Sequence, residues 1–287
     1  MELLAGKLTR LPLDTQDALR QLACLGNVAD VAILSVVLEI SEEQVHAALS
    51  EALHQQLIDR VARSYKFIHD RVQEAAYALV PEASRAEAHL TIGRLLVAQT
   101  PPEKRDEAIF EIVNQLNRGA RLITSQEERE RLAELNLAAG KRAKSASAYA
   151  SALTHLIAGS ALLPEDTWER RHDLAFELEL QRADCEVYAG ALQAAEERLE
   201  ALATRAVGTV QRCIVARRRA DLYTMLGAGE RAVAVALECL RHVGIDWSAH
   251  PTEVETRGEY ERIWLRLGSR AIEDVVDLLS MALTTGA

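Results

Sequence analysis

Tyr65-Lys66-Phe67-Ile68-His69-Asp70-Arg71-Val72-Gln73-Glu74-Ala75-Ala76-Tyr77 is the stretch whose reading decides the fold. Residues 65–68 read as a short strand rich in aromatic and β-branched side chains. Residues 69–79 read as a helix that continues from it without a loop. The polar pair His69-Asp70 falls at the join. A helix N-terminus there offers unpaired N–H groups and the positive end of a dipole. The residues before the stretch read as a small compact domain, and those after it as stacked helices.

Residues 1–80 read as a winged helix. Pro12 and Asp14 open a helix with apolar Ala18, Leu19, Leu22, Ala23 and Leu25, and Gly26 closes it. Asp30 is placed to cap a short helix over 31–38. Ser41-Glu42-Glu43-Gln44 has the spacing of a capping box. The helix after it, over 42–56, places Val45, Ala48, Leu49 and Ala52 on one face. Residues 57–61 and 65–68 then form two strands about a tight turn, the wing. Winged helices often bind DNA through their third helix. Here residues 42–56 hold no Lys or Arg, and Glu42, Glu43 and Glu51 are acidic. Arg60, Arg63 and Lys66 of the wing are the local cations available for phosphate. DNA binding is therefore the weaker expectation and packing against protein the stronger.

Residues 81–124 read as a helical bridge. Pro81 ends the key helix, Pro101-Pro102 breaks the next one, and Gly119 ends another. From residue 125 to 287 the chain repeats itself. Tyr149-Ala150-Ser151-Ala152-Leu153 returns as Tyr188-Ala189-Gly190-Ala191-Leu192, 39 positions on (149 to 188). Helix pairs are expected over 126–145 with 148–163, 168–188 with 191–206, and 210–226 with 230–243. The units are tetratricopeptide-like, with a period longer than the usual value of about 34. Stacked units of this kind form a solenoid with a groove. Two more helices are expected over 253–267 and 272–283. No polar capping helix closes the array, so the solenoid or a further domain is expected to continue past Ala287.

Composition agrees with helices. Apolar residues make up 49% of the 287, but aromatic ones only 4%. Ala, Leu and Val therefore carry the core, which suits close helix packing. The net charge of −10 opposes general nucleic-acid binding. Cys24, Cys185, Cys213 and Cys239 have no metal or redox spacing and read as buried thiols in a reducing cytoplasm. No basic-then-apolar leader opens the chain, and no run of about 18 apolar residues exists to span a membrane.

No Gly-rich phosphate loop ending in Lys-Ser/Thr and no Gly-X-Ser-X-Gly is present. His46, His54, His89, His155, His172, His242 and His250 form no metal-ligand spacing. Arg217-Arg218-Arg219 reads as a solvated helix face, and Glu127-Glu128-Arg129-Glu130-Arg131 as i,i+4 pairing on an exposed face. The chain is expected to be non-catalytic, without a cofactor or metal of its own. For His69-Asp70 two readings of the residues stand. Asp70 charges the first helical turn while His69 bonds locally, or His69 is a phosphoacceptor, since such histidines also precede an acidic residue.

A third reading comes from a resemblance. Four stretches carry it: residues 8–26, Phe67 through Tyr77, Phe110-Glu111-Ile112-Val113-Asn114-Gln115-Leu116-Asn117, and Leu135-Asn136-Leu137-Ala138-Ala139-Gly140-Lys141-Arg142-Ala143-Lys144. Together they resemble the large bacterial signalling proteins built around an AAA-like STAND ATPase with a helical-repeat sensor region. Such proteins often carry a serine/threonine kinase-like domain, a GAF domain and a histidine kinase. The resemblance implies that residues 1–80 are the winged-helix end of the ATPase module and that the rest is its repeat arm. It implies that His69 and Asp70 match the pair that senses the β-phosphate of ADP. ATP or ADP and Mg are then expected in an adjoining ATPase domain. The implied partners are adjoining ATPase and kinase domains, and a protein or small ligand in the repeat groove. A STAND-type transcription regulator and a free-standing scaffold are the alternatives.

Overall fold

The computed structural model describes residues 2–268. The helix expected over 272–283 lies outside the described residues. The chain divides into two compact units, 1–202 and 203–287.

The first unit opens with α1 (Glu2–Leu8), α2 (Leu13–Leu25), β1 (Val28–Asp30), α3 (Val31–Leu38), α4 (Glu42–His54), β2 (Ile58–Val61), β3 (Ser64–Phe67) and α5 (Asp70–Ala78). Leu19, Leu22, Leu34, Leu49, Tyr65 and Phe67 are almost wholly enclosed and form its core. The two strands of the expected hairpin pair antiparallel, Ile58 opposite Phe67 and Val61 opposite Ser64. A third strand, β1, joins the free edge of β3 with Ala29 opposite Tyr65. It is silent in the sequence because three residues are too few to show alternation, and Asp30 already serves as a cap. The Asp30 carboxylate accepts from the Ala32 N–H at 2.8 Å. The capping box forms as spaced: the Gln44 N–H donates to Ser41 Oγ at 3.2 Å, and the Ser41 N–H donates to the Gln44 side chain at 2.9 Å.

Next come α6 (Glu82–Gln99), a 3-10 turn at Pro102–Lys104, and α7 (Arg105–Gly119). Cys24, Val37 and Val80 share one buried cluster with Leu90, Ile112 and Leu116, so the boundary expected at residue 80 is a packed joint. Helices α6 and α7 approach closely at glycines. A Cβ on Gly119 would lie 2.6 Å from Leu90 Cβ and 2.7 Å from the Ala86 carbonyl oxygen. The φ of Gly119 is −98°, which any residue adopts, so the glycine is there for proximity rather than for a left-handed cap.

Helices α8 (Gln126–Ser145), α9 (Tyr149–Ala161), α10 (Thr167–Arg170), α11 (His172–Tyr188) and α12 (Leu192–Arg205) complete the first unit's array. The second unit contains α13 (Gly208–Met225), α14 (Gly229–His242) and α15 (Glu253–Leu267). Tyr223, Ala232 and Val235 are buried between α13 and α14, with Ala216, Ala220 and Ala228 against them.

The three expected helix pairs form, but the 39-residue recurrence of the tyrosine stretch is not their register. The closure that ends α3, α4 and α14 (Ile40 N–H to Ser35 O, Leu57 N–H to Ala52 O, Ile245 N–H to Leu240 O) also joins the two helices of each pair, by Ala148 N–H to Ala143 O, Ala191 N–H to Glu186 O and Ala228 N–H to Tyr223 O, at 2.9, 2.8 and 2.8 Å. Its middle residue is left-handed each time: Ser147 at φ 59°, Gly190 at 80°, Gly227 at 71°. The true spacings are 43 (148 to 191) and 37 (191 to 228). The insertion of α10 lengthens the first. Tyr149 starts a helix and Tyr188 ends one, so they are not equivalent; their rings instead stack with centroids 4.8 Å apart.

Among the described residues no helix is long and apolar enough to cross a membrane.

Candidate functional site

His69 is the N-cap residue of α5, with extended backbone (φ −138°, ψ 142°), and its side chain makes no capping bond. Its carbonyl accepts from the Val72 N–H at 2.9 Å, which starts the helix. Asp70 is the first helical residue, and both side chains are exposed. The pair is firmly placed from both sides. Upstream, Phe67 is buried and the Ile68 N–H bonds the Leu57 carbonyl at 3.2 Å. Downstream, Val72, Ala75 and Ala76 anchor the buried face of α5. An exposed imidazole and carboxylate on a rigid helix start can reach a ligand brought from outside.

The other end of α5 enters a buried polar chain. The Tyr77 hydroxyl donates to His89 Nε2 at 3.0 Å. His89 Nδ1 donates to Gln115 Oε1 at 2.7 Å, and Gln115 Nε2 donates to the Cys24 carbonyl at 3.0 Å. The last bond fixes the amide: its nitrogen faces Cys24, so its oxygen faces His89, and Nδ1 must carry the proton. His89 and Gln115 are 2% and 4% exposed, so these groups have no water to fall back on. Burial pushes the His89 pKa down, and the Gln115 bond opposes that only in part. The chain ties α2, α5, α6 and α7 into one body. The Arg85 guanidinium lies 4.7 Å over the Tyr77 ring and covers it.

A second polar joint lies further along. Asn117 and Asn136 exchange two amide bonds, each 2.9 Å, between α7 and α8, and Asn136 is wholly enclosed. Both asparagines lie in stretches that carry the resemblance, as does Gln115. Ion pairs continue along the array: Lys144 to Asp184 at 2.6 Å, Lys141 to Glu177 at 2.6 Å, and Arg198 to Glu186 at 2.8 Å.

Two charged runs differ from their expected roles. Glu130, expected on an open face, is buried and pairs with Arg170 at 2.7 Å and with Arg171. Its neighbours Glu127 and Arg131 do pair in the expected i,i+4 manner, loosely at 3.9 Å. Of the arginine run, Arg217 is exposed, while Arg218 and Arg219 are half-buried. The Arg170 bond, and then that from Gln126, hold the Glu130 carboxyl below its ordinary value. The resulting stabilisation is complete above the ordinary carboxylate range and is lost as pH falls through the lowered value. A Glu130→Gln variant should therefore lose less Tm than the parent between about pH 5 and pH 3. Equal losses in the two proteins would remove Glu130 from the acid limb.

In the wing, Arg63 is engaged with Glu42 at 2.9 Å, which leaves less positive charge for phosphate than the sequence offers. Among the described residues no group of three His, Cys, Asp or Glu side chains could hold a metal ion. Cys24 and Cys185 are buried, as expected. Cys213 and Cys239 are not: both are half-exposed, because the helix pair that carries them is shallow.

His69 and Asp70 are legible in the sequence, but the chain from Tyr77 to Cys24 is not. His89 stands alone in sequence, 26 positions from Gln115, and no spacing rule joins them.

The chain resembles part of a signalling protein. It is 25% identical over 341 residues to "Hybrid signal transduction histidine kinase G" of Dictyostelium discoideum, a match that takes in 97% of this chain and 10% of that protein. The chain thus spans about a tenth of the length of the curated relative it matches. Among solved structures it is similar to a Signal Transduction ATPase with Numerous Domains (STAND) protein with a tetratricopeptide repeat sensor from Pyrococcus horikoshii. That match has 14% identity and a TM-score of 0.33, and covers 82% of this chain and 45% of that one. No family model matches the chain. A bacterial source and a serine/threonine kinase rest on the sequence resemblance alone.

Proposed function

We propose that this chain is a non-catalytic regulatory arm of a multidomain signalling ATPase or sensor kinase. In this reading residues 1–80 are a winged helix at the end of a STAND-type ATPase module, 81–124 a bridge, and 125–287 a tetratricopeptide-like interaction surface. ATP or ADP with Mg would bind in an adjoining domain, and His69 and Asp70 would meet the nucleotide phosphate from the winged-helix side. A neutral or protonated imidazole can donate to phosphate oxygens, and the helix start adds its own N–H groups.

One observation carries the reading. Helix α5 has His69 and Asp70 at its first turn and Tyr77, bonded to His89, at its last. A shift at the sensing end must move the Tyr77 hydroxyl, which is fixed to α6 and, through Gln115, to α7 and α2. Nucleotide state would then bias the position of the arm and so its partner binding. Charge favours this over DNA binding, since α4 has no Lys or Arg and Arg63 is paired with Glu42.

The test uses the full-length parent. His69→Ala should raise basal kinase output several-fold by releasing the resting state, and Tyr77→Phe should weaken the response to nucleotide without abolishing nucleotide binding. Unchanged basal output in His69→Ala, with nucleotide binding intact, would remove the sensing role.

A further inference from the structure

Cys213 lies on α13 and Cys239 on α14, and their sulfurs are 3.0 Å apart. That is inside the roughly 3.5–4.0 Å at which non-bonded carbons settle, and sulfur is larger than carbon. The closeness has a cause in the sequence. Ala216, Ala220, Ala228 and Ala232 line the α13–α14 interface, and small side chains let the two helices approach. Both cysteines are half-exposed, so a small reagent can reach them, whereas Cys24 and Cys185 are sealed. The described residues supply no third ligand that would make the two sulfurs a metal site. Burial, and then the Cys213 thiol, push the Cys239 thiol up to about 11, so little of it is thiolate at neutral pH and attack by this sulfur is slow.

We propose that Cys213 and Cys239 are a thiol-oxidation site that closes reversibly into an intramolecular disulfide and clips α13 to α14. A low-molecular-weight disulfide such as glutathione disulfide is the oxidant. One cysteine loses its proton, and its thiolate attacks the oxidant, forming a mixed disulfide and expelling one glutathione thiolate. The second cysteine loses its proton, attacks the protein-side sulfur and expels the other glutathione. Two protein thiols become one disulfide, two glutathione thiols take up the two protons, and two electrons pass to the oxidant. In a reducing compartment the bond would be transient, which suits a switch rather than a staple.

The full chain is incubated with glutathione disulfide, its remaining thiols are alkylated, and it is mapped by mass spectrometry without reduction. The expected product is one Cys213–Cys239 linked peptide pair within a single molecule, removed by dithiothreitol. Closing a 26-residue loop should also raise the melting transition of the second unit, on the order of 10–20 °C. The link and the shift should both be absent in Cys213→Ser and in Cys239→Ser. Mapping of the unmutated chain needs neither variant, so a variant that fails to fold leaves the answer readable. Glutathione adducts that never close, or links found only between molecules, overturn the proposal. A closed bond that leaves the melting transition unmoved overturns the clip.

Discussion

Gly119→Ala is expected to destabilise the first unit by about 1–3 kcal/mol, although the same change in an open helix stabilises. Two effects oppose each other. Alanine lowers the entropy of the unfolded chain and improves helix propensity, together about 0.5–1 kcal/mol in its favour. At Gly119 the new methyl would also meet the Leu90 Cβ at 2.6 Å, the Ala86 carbonyl oxygen at 2.7 Å and the Leu90 Cα at 2.9 Å. Two of the three are backbone atoms, which no rotamer change can withdraw. Helices α6 and α7 would have to part, and the core of Leu90, Ile112 and Leu116 would loosen. Overpacking therefore wins. Gly258→Ala is the matched control. Gly258 lies inside α15 with nothing within 4 Å of an added Cβ, so that variant should gain about 0.5–1 kcal/mol. Urea melts of both variants measure the pair. A Gly119→Ala protein as stable as its parent would mean that α6 and α7 do not touch there.

Gln115→Leu should cost about 2–4 kcal/mol. Leucine matches glutamine in bulk, so no cavity opens. It orphans the His89 Nδ1 proton and the Cys24 carbonyl, both deep in the joint. Each buried unpaired group costs about 1–3 kcal/mol, because water cannot replace the lost partner. The same joint sets a pH dependence. The His89 pKa lies below its ordinary value, chiefly through burial, and so does that of His155. For a group lowered on folding, stability is complete above the ordinary histidine value, near 6.5. It is lost as pH falls through the lowered value, because the unfolded chain takes up the proton first. The parent should therefore be measurably less stable at about pH 5.5 than at about pH 7.5, and His89→Gln should flatten that slope in part. Denaturant midpoints at the two pH values decide it, and a slope unchanged in His89→Gln would exclude His89 as its source.

Local signals were legible wherever a short-range rule acts. Ser41 and Gln44, three residues apart, announce a capping box, and Asp30 announces a cap. Helix boundaries at 126–145 and 253–267 were read to the residue, because polar caps and turns bound them. What failed depends on the third dimension. Strand β1 exists because β3 offers an unpaired edge, which Val28-Ala29-Asp30 cannot signal alone. Glu130 looked exposed because its own helix is polar around it; Arg170 and Arg171, which enclose it, are some 40 positions away. The helix pairs and the small-residue turns between them are legible in the sequence, but the 39-residue recurrence is not their register, because its two tyrosines match in letter and not in role. His69 and Asp70 stood out because a strand runs straight into a helix there; the chain behind Tyr77 is assembled from four elements and has no local mark.

Glycine occupies the left-handed position in the two later turns within helix pairs, and Ser147 bears it in the first at φ 59°. A side chain there carries a penalty on the order of 1 kcal/mol that its sisters escape. The earliest hinge of the array thus holds an untapped reserve of rigidity, which one substitution could release to offset a damaging change elsewhere in the same unit.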